Sequence, residues 1–290
     1  MRIPHTLPGQ WPADLAVGRF ATTIKRGSSL GCEVALIGLA DDTGVRLNHG
    51  RPGAKDGPRA FRAALARYGA AIPATGPLPR VYDAGDVQPG RTLEETHSRV
   101  TAAVAAILDA GLLPVAVGGG HDLTFPFVRA VAGRYGRMTG LYFDAQLDVR
   151  ETRSSGMPFR KLVEECDVAA LHLHGFRSLV NSREHHAWFI AHGGKIHPDG
   201  ASPNLPKARN LFVSFDLDVL DAAHAPGVSA LNPAGWSVRE AEVWVRACGA
   251  SSAVRCFDLM ELNPTHDPDG RTARVAAHLF LSFLQGCAER

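Results

Sequence analysis

The sequence predicts an α/β fold, a three-layer α/β/α domain around a mainly parallel sheet. Seven short runs of β-branched and aliphatic residues recur along the chain, and most are followed by a segment with helical periodicity. That alternation is typical of parallel βα units. With 290 residues, 45% of them hydrophobic, the chain is long enough to bury a continuous core. We therefore expect one domain over residues 1–290, with residues 1–32 as an N-terminal extension.

The predicted strands and helices alternate in chain order. Strands are expected at residues 34–39, 81–84, 113–117, 139–143, 169–174, 211–215 and 252–257, and helices at residues 58–68, 93–110, 123–135, 182–192, 238–250 and 270–287. Pro58 just inside the first helix, Gly111 after the second and the acidic pair in 93–95 are ordinary helix boundary signals. Two long polar segments, 41–57 and 144–159, follow strand ends, where open parallel sheets place their ligand crevice.

The charge balance excludes several classes of partner. The 31 basic and 29 acidic side chains give a net charge of +2, which predicts neither nucleic-acid nor membrane binding. The N-terminus lacks the apolar run of a signal peptide, and no stretch reaches the roughly 18 apolar residues of a spanning helix. Five scattered cysteines without a C-x-x-C pair are expected to be small buried residues in a reducing compartment. A cytoplasmic protein with a small-molecule substrate is expected.

Oxygen-bearing side chains cluster at three predicted strand ends. The clusters are Gly118-Gly119-Gly120-His121-Asp122, Asp144-Ala145-Gln146-Leu147-Asp148, and Ser214-Phe215-Asp216-Leu217-Asp218-Val219-Leu220-Asp221. If the chain is extended there, alternate residues point to one side, so Asp144, Gln146 and Asp148 would converge, as would Asp216 and Asp218. Carboxylates brought together in this way repel one another unless cations lie among them. Many oxygens with one imidazole suit Mn²⁺ better than Zn²⁺.

Two other interpretations of these clusters, a set of helix-capping turns and a nucleotide site, are less well supported. Each cluster taken alone could be a polar turn with helix-capping aspartates, but three such clusters together favour a metal site. The three glycines at 118–120 are followed by His and Asp and have neither phosphate-binding spacing, so they do not predict a nucleotide site.

The three clusters, in this order, resemble the metal-binding motifs of the ureohydrolase family, which comprises arginase, agmatinase and formimidoylglutamase. The resemblance covers residues 33–285, because the segments 258–264 and 270–273 also resemble the family's terminal signature. It implies an arginase-like fold with a mainly parallel, about eight-stranded sheet, two Mn²⁺ ions and a homo-oligomer, either a trimer or a hexamer.

The resemblance also implies which residues hold the metals. One Mn²⁺ would be held by His121, Asp144, Asp148 and Asp216, and the second by Asp144, Gln146, Asp216 and Asp218. Gln146 departs from the family pattern, which has His at this position. An amide oxygen is a neutral and weaker donor than an imidazole, so we expect the second Mn²⁺ to bind weakly and catalysis to depend on its occupancy.

Two segments favour the formimidoylglutamase branch of the family. Residues 42–54 are similar to its D-x-G-V-x-x-N-x-G-R-x-G-A stretch, and residues 154–159 resemble its S-S-G-x-P-F, with Ser155 where the other branches place His. The implied reaction is hydrolysis of N-formimidoyl-L-glutamate to L-glutamate and formamide, a step of histidine degradation. Arginine binds carboxylates bidentately, and the candidate substrate-binding residues are Arg46, Asn48, Arg51, Arg150, Ser155 and Arg160.

Three residues are assigned catalytic roles by the resemblance. Asp148 would orient the attacking water, Glu261 would pair with the cationic nitrogens of the substrate, and Asp218 would relay a proton to the leaving amine. His172, His174, His185 and His186 are expected to be structural or solvated, the last two on a surface helix.

Other functions stay open from the sequence. An agmatinase-like enzyme would release urea and would have an acidic entrance. A catalytically impaired relative that only binds a metabolite or one metal is favoured by Gln146 alone. A zinc-dependent deacetylase is disfavoured, because Asp216-Leu217-Asp218 lacks that class's D-x-H ligand pair.

Overall fold

A nine-stranded sheet organises the structure, a computed structural model that describes residues 3–73 and 76–290. Its strands are Thr6–Leu7 (β1), Val34–Leu39 (β2), Val81–Val87 (β3), Leu113–Gly118 (β4), Met138–Phe143 (β5), Val168–His174 (β6), Gly194–Ile196 (β7), Leu211–Asp216 (β8) and Val254–Met260 (β9). Their spatial order is β1-β3-β2-β4-β9-β8-β5-β6-β7. Strands β2 to β9 are parallel and β1 runs antiparallel to β3, so the predicted mainly parallel sheet is confirmed.

All seven predicted strands are present, and the other two, β1 and β7, were not predicted. These two edge strands have only two and three residues, which is too short for a sequence period to be visible. Strand β9 runs to Met260, three residues beyond its predicted end, and therefore delivers Glu261 directly to the carboxyl edge of the sheet.

Eight α-helices lie within residues 3–73 and 76–290, and most of them connect strands. They are Thr43–Leu47 (α1), Gly57–Leu65 (α2), Leu93–Asp109 (α3), Thr124–Tyr135 (α4), Pro158–Glu165 (α5), Arg183–Ala191 (α6), Val238–Ala250 (α7) and Arg271–Cys287 (α8). The six predicted helices are found, with boundaries shifted by up to three residues. Helix α1 lies inside one of the polar segments and α5 begins inside the other, so neither segment is wholly irregular.

The helices cover both faces of the sheet. In β2, Val34 and Leu36 pack into a core layer with Phe61 of α2, Trp244 of α7 and Phe280 of α8. The alternate β2 residues pack into the opposite layer, together with α3, α4, α5 and α6. Because successive strand residues point to opposite faces, an all-apolar strand such as β2 has to be covered on both faces. Helices lie on each side of the sheet, which is the predicted three-layer arrangement.

A buried cation ties the N-terminal segment to this framework. The Arg62 side chain is 1% exposed, and its guanidinium donates to both carboxylate oxygens of Asp83, at 2.8 and 3.0 Å, and to Asp86 at 2.5 Å. Trp11 Nε1 donates to Asp83 at 2.6 Å. Residues 1–32, predicted as an extension, therefore include a segment that packs on α2 and β3.

Within the described residues, no helix is long and apolar enough to cross a bilayer. The five cysteines are all unpaired; Cys166, Cys248 and Cys256 are buried, while Cys32 and Cys287 are half-buried.

Candidate metal centre

The three predicted clusters and Glu261 meet at the carboxyl edge of four adjacent strands. His121 follows β4, Asp144 follows β5, Asp216 ends β8 and Glu261 follows β9. In the sheet these strands are neighbours, in the order β4-β9-β8-β5. The chain leaves β4 for the distant β5 and later fills the gap with β8 and β9, which is the type of crossover where parallel sheets form a ligand crevice.

The glycines before His121 let the chain turn tightly against a neighbouring loop. Gly119 and Gly120 donate backbone hydrogen bonds to Leu39 and Asp41 carbonyls at 2.9 and 3.0 Å. A Cβ atom on Gly119 would lie 1.9 Å from the Asp41 carbonyl oxygen, so a larger residue would displace the turn. His121 is consequently presented at the start of a 3-10 helix, with its ring turned into the site.

His121 faces three carboxylates in a largely buried cluster, in which Asp148 is the most exposed member. Its Nδ1 lies 3.2 Å from Asp144, 3.0 Å from Asp148 and 3.0 Å from Asp216. The four ligand atoms all lie within 4.8 Å of one another. His121 Nδ1 and Asp144 Oδ2 are both buried and have no hydrogen-bond partner of regular geometry. Since buried polar atoms are normally paired, these two atoms fit a cation placed among the four ligands.

Electrostatics support the same conclusion. Burial raises the pKa of Asp144, Asp216 and Asp218 above the ordinary range, and repulsion from neighbouring carboxylates contributes to each shift. Burial alone would lower the pKa of His121, but hydrogen bonding and attraction from the surrounding carboxylates raise it well above its usual value. The cluster therefore requires positive charge, as protons or as a metal cation.

A second set of oxygens adjoins the first through Asp144. When the amide nitrogen of Gln146 faces these acids, it donates to Asp218 Oδ2 at 2.8 Å and to Asp144 Oδ1 at 3.2 Å. With the amide reversed, its oxygen points at the same place, where it can ligate a cation. Gln146 therefore lies beside Asp144 and Asp218, with its amide within hydrogen-bond distance of both carboxylates.

The predicted convergence of these acidic residues is observed. The predicted reason, an extended strand with side chains pointing alternately to one side, is wrong. Strand β5 ends at Phe143, so residues 144–148 lie in a loop rather than in an extended strand. Asp148 has φ 48°, in the left-handed region, and this turn directs its carboxylate toward His121. Asp218 lies in a 3-10 helix, where its backbone N–H donates to Asp216 Oδ1 at 2.8 Å.

Glu261 joins the centre to the wall of the cavity. Its backbone is also left-handed, with φ 65°, and its carboxylate accepts from the backbone N–H of His121 at 2.8 Å and from the Ser229 hydroxyl. Burial, together with the nearby Asp216, raises the pKa of Glu261 to about 8. The strained backbone of Asp148 and Glu261 is the kind that persists at functional sites.

A cavity of about 290 Å³ opens over this floor. Asp148, Asp216, Asp218 and Glu261 line its base. Of the six predicted substrate-binding residues, the cavity is lined by Asn48, Arg150 and Ser155. Asn48 Nδ2 donates to Ser155 Oγ at 3.1 Å, which connects two loops that are 107 residues apart in the sequence.

The other three predicted substrate-binding residues lie outside the cavity lining, each for an identifiable reason. Arg46 is exposed and forms an ion pair with Asp42. Arg51 donates to the backbone carbonyls of residues 226, 228 and 229, so it supports a loop. Arg160 pairs with glutamates on its own side of the protein and stacks over Trp188. These three arginines therefore lie apart from the residues that line the cavity.

Several cavity residues were not identified from the sequence, among them His185 and Asn181. His185, expected to be a structural or solvated surface residue, lines the cavity from the start of α6. Asn181 accepts from the Leu147 N–H at 2.9 Å and donates to the Ala145 carbonyl at 2.9 Å, so it holds the loop on both sides of Gln146. Neither residue belongs to a motif, and only the fold brings this segment to the site.

The remaining histidines named above do not join the centre. His172 and His174 lie in β6 and stack with His197, which follows β7, and burial lowers the pKa of His172 to about 4 and that of His174 to about 3. His186 is exposed. These three residues are structural or solvated, as expected.

Comparison with known proteins agrees with this geometry. Residues 32–285 match the sequence model of the arginase family. Formimidoylglutamase from Aeromonas hydrophila is 36% identical over 278 residues, covering 87% of this chain and 86% of that protein. The human mitochondrial guanidino acid hydrolase is 31% identical, covering 88% of this chain and 78% of that protein.

A solved structure of a similar protein contains Mn²⁺. The crystal structure of Trypanosoma cruzi formiminoglutamase with Mn²⁺ superimposes with a TM-score of 0.87 at 30% sequence identity, covering 94% of this chain and 99% of that chain. The overall fold therefore has its counterpart in a protein of known structure. The chain belongs to the arginase family, and it is a hydrolase of that family.

Proposed function

We propose that this chain hydrolyses N-formimidoyl-L-glutamate to L-glutamate and formamide in a Mn²⁺-dependent reaction. The bond broken joins the amidine carbon to the glutamate nitrogen, and water supplies the oxygen of formamide and the proton of the amine. The main support is a cavity whose base is lined by carboxylates and whose lining also includes Arg150. Such a cavity is complementary to a substrate that has a cationic amidine at one end and two carboxylates at the other.

The metal ligands proposed here follow the two sets of oxygens. One Mn²⁺ would be held by His121, Asp144, Asp148 and Asp216, and a second would be held more weakly by Asp144, Gln146, Asp216 and Asp218. Mn²⁺, when bound, supplies positive charge that lowers the pKa of water from about 15.7 toward 7. Asp148 also lines the cavity, so its carboxylate could accept a hydrogen bond from a water molecule beside the amidine and orient it.

Two further acids act on the substrate and the leaving group. Glu261 pairs with the amidine nitrogens, since its carboxylate lies at the base of the cavity beside the ligand cluster. Asp218 would relay a proton to the departing amine, since its carboxylate lies at the base of the cavity beside the ligand cluster. An amine leaves far more easily when it is protonated, so this transfer determines how readily the C–N bond breaks.

The glutamate end of the substrate would be recognised by lining residues other than the acids at the base of the cavity. Arg150 is the arginine of the cavity lining, and Asn48 and Ser155 supply neutral polar groups beside it. His185 adds a further polar side chain to the cavity lining. Arg150 can bind one carboxylate of the proposed substrate, and the neutral groups can donate hydrogen bonds to the other.

A guanidino acid is the second candidate substrate. The 31% identity to the human guanidino acid hydrolase favours it, and a guanidino acid also places a cation over the acids and a carboxylate near Arg150. It differs in having one carboxylate and in releasing urea. Agmatine fits less well, because it is cationic at both ends and Arg150 would repel it.

The assay that tests the proposal compares these substrates directly. Purified protein in excess Mn²⁺ is given N-formimidoyl-L-glutamate, 4-guanidinobutanoate or agmatine, and formamide and urea are quantified. We expect formamide from the first substrate and no urea from the others. Urea from 4-guanidinobutanoate would replace the proposed substrate with a guanidino acid. If protein that binds Mn²⁺ released neither formamide nor urea from any of the three substrates, a binding protein would be favoured.

The role of Arg150 is tested by Arg150→Gln. Losing one charge-assisted contact to a carboxylate costs about 1.5–3 kcal/mol, so we expect KM for N-formimidoyl-L-glutamate to rise about ten- to a hundredfold with kcat nearly unchanged. Arg160→Gln is the matched control, because Arg160 lies outside the cavity lining, and its KM should stay within about twofold. Equal kinetics in the two variants would disprove the Arg150 assignment.

A further inference from the structure

A buried hydrogen-bond chain runs from the candidate metal ligand His121 away from the cavity. His121 Nε2 lies 3.0 Å from Ser214 Oγ, and the Ser214 hydroxyl donates to Asp258 Oδ1 at 2.6 Å. Thr124 donates to the other oxygen of Asp258 at 3.0 Å. All four side chains are at most 1% exposed, so water does not complete any of these bonds.

The positions of the hydrogens in this chain follow from the donor inventory. Asp258 accepts from the Ser214 hydroxyl through Oδ1 and from the Thr124 hydroxyl through Oδ2, and an ionised carboxylate can only accept. Ser214 has a single hydroxyl hydrogen, which is used on Asp258. Its oxygen must therefore accept from His121, and Nε2 must be the nitrogen of His121 that carries a hydrogen.

The other ring nitrogen is then constrained as well. When the imidazole is neutral, Nδ1 bears a lone pair and faces the oxygens of Asp144, Asp148 and Asp216, which are acceptors too. A buried lone pair surrounded by acceptors has no partner except a cation, and His121 Nδ1 is one of the buried atoms without a regular hydrogen bond. A hydrogen-bonded partner on the far nitrogen is the usual way in which proteins fix the tautomer of a metal-bound histidine.

We propose that Ser214, held by Asp258, is a positioning residue that keeps His121 in the tautomer whose Nδ1 binds the metal. This inference rests on the proposed metal centre. It gives a role to two residues that do not touch the cavity: Ser214 from β8 and Asp258 from β9, strands that lie side by side in the sheet.

Two Ser214 variants and one control test the proposal. Ser214→Ala removes the acceptor, and Ser214→Cys keeps nearly the same volume but offers only a weak acceptor. Thr124→Val is the matched control, because it removes a donor to Asp258 and leaves the Ser214–His121 contact in place. The Kd for Mn²⁺ is measured from the electron paramagnetic resonance signal of free Mn²⁺, and the thermal stability of each metal-free variant is measured in parallel.

We expect both Ser214 variants to bind Mn²⁺ about ten- to a hundredfold more weakly and Thr124→Val to stay within about threefold. In the Cd²⁺-loaded unmodified protein, ¹⁵N NMR of labelled histidine should show one imidazole with Nε2 protonated and Nδ1 bound to the metal. That signature should weaken in Ser214→Cys even if its stability is unchanged, which a merely structural role for Ser214 does not predict.

Two results would overturn the proposal. Affinities within about threefold of the unmodified chain in both Ser214 variants would show that the hydrogen bond does not support the ligand. An equal loss in Thr124→Val would assign the effect to general packing. Absence of any Mn²⁺ binding by the unmodified chain would instead remove the metal centre itself, and the positioning role with it.

Discussion

The Gln146→His variant is expected to bind its second Mn²⁺ about a hundredfold or more tightly than the unmodified chain. An imidazole is a stronger donor than a neutral amide oxygen, and it also removes the amide nitrogen that can hydrogen-bond to Asp218 and Asp144. Equilibrium dialysis with metal analysis measures the stoichiometry and both affinities. Spin coupling between two adjacent Mn²⁺ ions, seen by electron paramagnetic resonance, reports directly on occupancy of the second site.

Activity measured on the same samples separates the functional hypotheses. If the unmodified chain is active at saturating Mn²⁺ and Gln146→His is active at lower Mn²⁺, Gln146 is an adequate but weak ligand. Activity only in the histidine variant would identify an intact scaffold with an impaired second site. Gln10→His, which places a histidine at an exposed position, controls for nonspecific binding. Two equally tight Mn²⁺ ions in the unmodified chain would contradict the prediction.

The Arg62→Met variant should lose about 3–5 kcal/mol of unfolding free energy, because removing one member of a buried ion network leaves the others without compensation. Asp83 and Asp86 would then face each other in the interior, and Trp11 would remain bonded to an unbalanced carboxylate. Urea denaturation followed by far-ultraviolet circular dichroism gives the change in free energy.

Arg59→Met on the same helix is the matched control. Its guanidinium is 61% exposed and lies 3.6 Å from Asp56, and exposed pairs of this kind contribute about 1 kcal/mol or less. A loss below about 1 kcal/mol in Arg62→Met would mean that the two aspartates take up protons or water at little cost, and that the N-terminal segment is not held by this network.

Much of the metal centre is encoded locally and could therefore be predicted. His121, Asp144 and Asp216 each follow an apolar strand directly, so composition and strand pattern indicate a polar group at the carboxyl edge of a sheet. The order of the three clusters along the chain was enough to suggest the family. Gln146 could be recognised as a departure for the same reason, because its place within D-A-Q-L-D is read from neighbouring residues alone.

Contacts between distant segments could not be predicted in this way. The direction of a side chain beyond the end of a strand depends on loop dihedral angles, as the left-handed backbone of Asp148 illustrates. Six arginine or polar residues looked equally suitable as substrate contacts, yet only Asn48, Arg150 and Ser155 line the cavity. His185 entered the site because α6 begins beside it, which no property of that helix reveals.

By itself, the sequence determined the α/β architecture, the strand-end ligands and the family resemblance, since these depend on periodicity and on residues close together in the chain. Only the tertiary structure decided that β9 and β8 lie between β4 and β5, and hence that His121, Glu261, Asp216 and Asp144 share one edge. It also decided that Ser214 and Asp258 form a hydrogen-bonded chain from His121 Nε2, away from the cavity. Strand order and buried hydrogen bonds are set by how distant segments pack together, and that packing leaves no local pattern in the sequence.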